Sequence, residues 1–253
     1  MQSERIHSAI IMITVAAYLL SGCTKSWTQT ERYAATNLRS GAALLFLLDS
    51  ESQEKSSRLE NKIIRSMSHA LEESNVNVRI LGSKDFCPEM VEPFYSPEDI
   101  LALLQDAQFR QKVDAEQIQY ILIIYVRGSR GDWVTRTHTD TGGFAVYNKR
   151  ETEHYTKAIV IDAEGAETAG VLLEQCSASQ GYGFGVGVGN GFCCAFPFAW
   201  YGGPTEDLAI RNLATSVAKF LTDKDATPNA KRPDGEQKEA PLPPEPTPKP
   251  PEE

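Results

Sequence analysis

Glycine occupies every odd position from 181 to 191, while Tyr182, Phe184, Val186, Val188, Asn190 and Phe192 fill the even ones. A period of two is the side-chain period of an extended chain, whose successive residues point to opposite faces. The surrounding stretch Gly181–Gly203 (GYGFGVGVGNGFCCAFPFAWYGG) carries no charged residue in 23 positions. As a strand it would offer bare backbone on one face and a mostly apolar surface on the other. Asn190-Gly191 is a strong hairpin turn signal, and it would pair about Tyr182–Val188 with Phe192–Trp200. Three readings follow. The segment is a glycine-rich loop folded against a sheet and pinned by Cys193 or Cys194, since glycine weakens isolated strands. Or it is an apolar patch for a protein partner or for self-association, with Phe196, Phe198 and Trp200 adding to the even-numbered side chains. Or it is a membrane-inserting hairpin, whose arms approach the roughly 9–11 residues that a spanning strand needs. One hairpin cannot close its own edges, so insertion would require an oligomeric ring. A phosphate-cradling loop is excluded, because no Lys-Ser or Lys-Thr follows the glycines.

The other end of the chain carries a second constraint. Arg5 precedes the apolar run Ala9–Leu20, which is too short for a permanent helix across a bilayer but suits the core of an export signal. Leu20-Ser21-Gly22-Cys23 follows. An aliphatic residue and two small residues before a cysteine resemble the lipobox of bacterial lipoprotein precursors. The resemblance implies that residues 1–22 are removed as a signal peptide and that the Cys23 thiol takes a diacylglyceryl group. The new amino terminus is then acylated as well. At about 0.8 kcal/mol per buried methylene, two or three chains attach a protein to a bilayer in effect permanently. Thr24, where an aspartate would resemble the inner-membrane retention signal, favours the periplasmic face of the outer membrane.

The formal charge is −9 and no basic cluster stands out along the sequence, which argues against nucleic acid as a partner and against electrostatic docking on anionic lipid. Beyond Cys23 the cysteines are Cys87, Cys176, Cys193 and Cys194. In an oxidising periplasm an even number suggests two disulfides. Adjacent cysteines rarely bridge each other, so the expected pairing is Cys87 with one of Cys193 and Cys194, and Cys176 with the other. Buried or unpaired thiols are the alternative. No histidine stands at ligand spacing from them, and no metal or other cofactor is expected.

Residues 23–40 are polar and patternless and are expected to be a lipidated tether. Residues 41–223 carry the pattern of one globular domain. Ala42–Leu48 is an apolar run suited to a buried strand, and Leu59, Ile63, Ile64, Met67 and Leu71 recur at helical spacing within about Glu54–Ser74. Asn75 breaks that helix, and Val76, Val78 and Ile80 alternate as a second strand. Ser96-Pro97-Glu98-Asp99 starts a helix expected to run to about Lys112. Ile118–Val126 is the most strand-like run. Val134–Thr139 and Phe144–Asn148 form a hairpin about Asp140-Thr141-Gly142-Gly143, Tyr155–Ile161 and Thr168–Gln175 form another, and Thr205–Leu221 is a last amphipathic helix. The order β-α-β-α-β, then β-hairpins, then α, predicts an α/β or α+β fold: a mixed sheet with helices packed on it. In residues 224–253 prolines crowd among polar residues, which predicts a disordered polyproline-II tail.

A lipobox, an aliphatic strand, two helices, the strand Tyr120–Tyr125 and the strand end Ile161-Asp162-Ala163-Glu164-Gly165 together resemble a group of periplasmic lipoproteins with an anticodon-binding-like αβ domain. The group includes the penicillin-binding-protein activator LpoB and the curli secretion lipoprotein. The chain differs from it in having Ala169-Gly170-Val171 where a tryptophan is usual, and in its glycine-rich insert. No nucleophile elbow, zincin helix or paired-cysteine ligand set occurs. His69 reads as a solvated helix residue, His138 and Asp140 as a weak ligand pair, and His154 as the start of a strand. The expected function is therefore that of a non-enzymatic accessory or assembly factor acting through an envelope protein partner. A subunit of an oligomeric outer-membrane export channel, using the 181–203 hairpin, is the alternative.

Overall fold

The computed structural model describes residues 24–49, 53–86, 96–140, 143–189, 192–203 and 205–230. Its centre is the run singled out above, now strand β4 (Ile118–Arg130), which lies between β2 (Ala43–Asp49) and β6 (Gly143–Asp162). With β1 (Thr24–Arg32), β3 (Arg79–Gly82) and β7 (Glu167–Gly189) these make a sheet of order β1-β7-β6-β4-β2-β3. The pairs β2–β3 and β2–β4 are parallel, and β4–β6, β6–β7 and β7–β1 are antiparallel. A mixed sheet of this kind needs cover on both faces, and the sequence supplies it.

On one face lie helix α1 (Gln53–Glu73) and the last helix, α5 (Thr205–Thr222). Ile63, Met67 and Leu71 of α1 and Leu213, Val217 and Phe220 of α5 close over Leu44, Phe46, Leu122 and Ile124 of the sheet. Helices α3 (Pro97–Leu103) and α4 (Ala107–Ala115) cover the other face, where Ile100, Phe109 and Val113 pack on Leu45, Leu47, Ile121 and Ile123. A one-turn helix α2 (Ser83–Phe86) follows β3. The fold is therefore a mixed α/β sandwich with the expected order of elements.

The differences have local causes. The helix expected from Ser96 to Lys112 is two. The Asp106 carboxylate accepts from the amides of Gln108 and Phe109, both at 2.9 Å, and so caps a new start. Asn75 ends α1 as anticipated, in the left-handed region at φ 57. The two segments Phe144–Asn148 and Tyr155–Ile161 are one 20-residue strand, β6.

The tether expected over residues 23–40 is corrected. Nine of its residues form β1, paired with β7 from Thr24↔Ala178 to Arg32↔Gly170. Arg32 is buried under α5, with Nη2 donating to the Phe220 carbonyl at 2.8 Å and its guanidinium 3.9 Å from the centre of the Phe220 ring. Asn229 closes over the same end, accepting from the Arg32 amide at 2.7 Å. Polar residues hid this strand from a hydrophobicity reading because β1 lies at the sheet edge and its pairing is carried by backbone. Residues 1–23 and 231–253, with the signal, Cys23 and most of the proline-rich tail, lie outside the described residues.

Candidate functional site

Strands β6 and β7 outlast their neighbours. The last register pairs of β1 and β4 are Thr24↔Ala178 and Arg130↔Thr152. Beyond them two further strands take over: β5 (Val134–Asp140) on β6, from Val134↔Lys149, and β8 (Phe192–Trp200) on β7, from Gly181↔Trp200. The result is a four-stranded antiparallel arm, β5-β6-β7-β8, that extends from the domain for about 30 Å at the usual rise per residue. The hairpin pairing read from Asn190-Gly191 is present. The loop reading of the segment is corrected, because Gly181–Gly189 continues β7 without a break.

Register assigns side chains to faces, since directly paired residues share one. One face carries Thr135, Thr137 and Thr139 of β5, Phe144, Val146 and Asn148 of β6, Tyr182, Phe184 and Val186 of β7, and Ala195, Pro197 and Ala199 of β8. None is charged. Phe144, Tyr182 and Phe184 are 46%, 54% and 50% exposed, in contrast to the closed core beneath the helices. At the base of this face Trp133 meets Tyr182 edge to face at 5.3 Å, and the Arg150 guanidinium lies 4.6 Å from the centre of the Trp133 ring.

The opposite face holds the glycines, Arg136, His138 and Lys149, and it is not the bare backbone the alternation implied. Tyr147, Phe198 and Trp200 reach over it from the flanking strands, with Phe198 and Trp200 stacked at 6.0 Å and Tyr147 5.6 Å from Trp200. A Cβ on Gly183 would stand 2.5 Å from both the Tyr147 Cβ and the Val146 carbonyl oxygen. The alternating glycines are thus the space into which neighbouring aromatics fold, a known compensation for glycine in strands. Gly183→Val should cost about 1–3 kcal/mol. Proteolysis confined to the arm would register that loss, and a variant arm as resistant as the parent's would contradict it.

Both outer strands of the arm are edges. Among the described residues β5 pairs only with β6 and β8 only with β7. Pro197 on β8 has no amide hydrogen to leave unpaired, which suits an edge position.

The backbones of Val188, Phe192, Cys193, Cys194 and Phe196 lie in this arm, in the pairs Val188↔Cys193, Gly189↔Phe192, Gly187↔Cys194 and Gly185↔Phe196. Cys87 lies outside the described residues. The expected disulfides are corrected. Cys176 is a buried free thiol whose register partners are Ser26 and His154, whereas Cys194 faces Gly187, eleven residues further along β7. That separation, roughly 35 Å, is far beyond the 4.4–6.8 Å between Cα atoms that a bridge tolerates. Burial, and after it the charge of Glu174, push the Cys176 thiol up, so it is a poor nucleophile as well.

The histidines separate clearly. His69 is a solvated helix residue 3.5 Å from Glu73, and His138 is exposed on β5. His154 has a role that its charged neighbours in sequence concealed. Its Nδ1 contacts the Thr205 hydroxyl at 2.7 Å, at the start of α5, and its Nε2 stands 3.9 Å from Glu206. Both histidine contacts border a cavity of about 500 Å³ where the arm leaves the domain. Burial lowers the His154 pKa from its ordinary 6.5, and Glu206 only partly opposes this. A depressed histidine leaves stability complete above the unfolded value and removes it as pH falls through about 6.5 toward the folded one. The parent should therefore lose stability to denaturant over that interval more than His154→Gln does. Parallel pH profiles would contradict the assignment. Among the described residues no three potential ligands gather as a metal site, and no helix is long and apolar enough to cross a membrane.

No protein-family model matches the chain, and no curated protein matches it. Solved structures similar to it include the PelC dodecamer from Paraburkholderia phytofirmans, at 12% identity and TM-score 0.32, covering 80% of this chain and 99% of that one. A neuraminyllactose-binding hemagglutinin homolog from Helicobacter pylori matches at 10% identity and TM-score 0.32, covering 76% of this chain and 89% of that one. Lipoprotein GNA1162 from Neisseria meningitidis matches at 16% identity and TM-score 0.27, covering 56% of this chain and 83% of that one.

Proposed function

We propose that this chain is the subunit of a lipid-anchored oligomeric channel of the bacterial outer membrane, in which the four-stranded arms of successive copies join edge to edge within the bilayer. The observation that carries this reading is the arm itself: one uncharged face with exposed aromatics, bounded by two open strand edges. In hydrocarbon each unpaired backbone group costs several kcal/mol, so one arm alone cannot enter. A closed ring of arms removes every edge. The uncharged face would then meet lipid, and the glycine face with Arg136, His138 and Lys149 would line the interior, which is the in-out alternation of membrane barrels.

The anchor supports the same geometry. Cys23 directly precedes Thr24, and Thr24 pairs with Ala178, three residues before the arm begins at Gly181. Acyl chains on Cys23 would enter the membrane at the base of the arm. The protein would be non-enzymatic and would act through contacts with further copies and with exported or assembled envelope protein.

Mass measurement on the full chain extracted from envelopes in mild detergent tests the proposal. A complex of many copies, each with an acylated Cys23, is expected. Monomers or dimers of the acylated chain would instead return the protein to an accessory role, and an unmodified Cys23 would remove the anchor.

A further inference from the structure

The cavity beside His154 has a composition that the channel wall does not require. It lies at the junction of domain and arm, on the uncharged side of the sheet, and its lining includes Arg130, His154, Ser179, Gln180, Tyr201 and Thr205. Arg150 lies behind the wall residue Gln180: with the Gln180 amide oxygen turned toward it, Arg150 donates from Nε at 2.7 Å. Neither Arg130 nor Arg150 has a carboxylate partner among the described residues. The acid at the wall, Glu206, is already held by Lys62 at 2.7 Å, and Asp207 pairs with the same ammonium. Partial desolvation, and after it the like charge of Arg130, draw the Arg150 guanidinium below its ordinary value. Arg130 pairs with Thr152, two residues along β6 from Arg150, so the two side chains share one face and an anion would fit between them. In a chain of net charge −9, two neighbouring guanidinium groups that no carboxylate pairs with among the described residues are a local exception that the linear sequence did not reveal.

Position narrows the kind of anion. Ala178 and Ser179 belong to the cavity lining, and Ala178 is the register partner of Thr24, the residue after Cys23. Trp133 and Tyr201, 44% and 64% exposed, flank the same level. Amphipathic rings beside basic side chains are the composition found at the headgroup level of a membrane.

We infer that this cavity receives the anionic headgroup of a membrane glycerophospholipid, with the phosphate between Arg130 and Arg150 and the acyl chains along Tyr182, Phe184 and Val186. The site rests on the reading that the arm enters the bilayer. It adds a depth gauge and a lipid preference to that reading.

Flotation tests it, using the full mature chain with Cys23→Ser, which carries no acyl group. The vesicles are phosphatidylcholine alone or phosphatidylcholine with phosphatidylglycerol. Stronger binding to the anionic vesicles is expected, weakening with salt. Arg130→Gln should reduce that binding about 5-fold, and Arg130→Gln with Arg150→Gln about 30-fold, since each basic residue near an anionic surface contributes about one such factor. Arg130 is exposed, so its single variant keeps the fold and serves if the double one does not. Equal binding to both vesicles, or arginine variants that bind as the parent does, would overturn the site. If such binding is still abolished by Phe184→Asp, the arm enters lipid and only the headgroup site is wrong. No binding to either vesicle, together with monomers of the acylated chain in detergent, would overturn both.

Discussion

Val186→Arg is expected to dissolve the assembly into membrane-attached monomers while leaving the domain folded. Val186 lies midway along the arm on the uncharged face, between Phe144 of β6 and Ala195 of β8. A charge at the midplane of a barrel's lipid face costs about 2–4 kcal/mol, and a ring repeats that cost in every copy. In water the same change is a partly exposed substitution, expected to alter the stability of the unassembled chain by no more than about 1 kcal/mol. His138→Arg is the matched control, because His138 stands on the opposite face with Arg136 and Lys149 and a charge there should be tolerated. Detergent-extracted mass separates the outcomes. Two variants that assemble alike would remove the distinction between the faces and with it the lipid-facing assignment.

Phe220→Ala should have the opposite signature, a large loss of stability with no selective effect on the arm. Phe220 is 2% exposed, and the nearest ring atom lies 2.5 Å from where a Cβ on Gly170 would be, so the ring and that glycine share one space. Truncation of a buried phenylalanine costs about 3–5 kcal/mol, from lost transfer energy and an unfilled cavity. Here it also strips the ring from beneath the buried Arg32 guanidinium. Denaturant unfolding measures the loss. A loss well under 1 kcal/mol would mean that β1 and the segment around Asn229 are not part of the cooperative fold, and residues 24–32 would return to being a tether.

The sequence made the sandwich legible because its central strands are buried on both faces. Ala42–Leu48 and Tyr120–Val126 are continuous apolar runs, and α1 and α5 carry helical periodicity that only a packed face explains. What it concealed depended on partners distant in sequence. β1 is polar and holds its place by backbone pairing to β7, with Glu174 accepting from Thr28 at 2.8 Å across the pair. The arm's alternation was visible at Gly181–Gly191, and so was the hairpin of Val134–Thr139 with Phe144–Asn148, but the joining of the two hairpins through β6 and β7 into one sheet was not. Thr135, Thr137 and Thr139 look like any strand surface until register places them beside Phe144, Val146 and Asn148. The same holds for Arg130 and Arg150, twenty residues apart in sequence and brought to one junction by the β4–β6 pairing. The cysteine arithmetic failed for a geometric reason: counting thiols carries no distance, and β7 holds Cys176 far from the hairpin tip.

The central claim concerns the two outer strands of the arm, and amide hydrogen exchange of the detergent-extracted full chain addresses it directly. In an isolated subunit the outward amides of β5 and β8 meet no further strand among the described residues and exchange faster than those of β6 and β7. In a closed ring they bond to the next copy. The expected result is protection of β5 and β8 equal to that of β6 and β7. Fast exchange along either outer strand, with β6 and β7 still protected, would contradict edge-to-edge assembly.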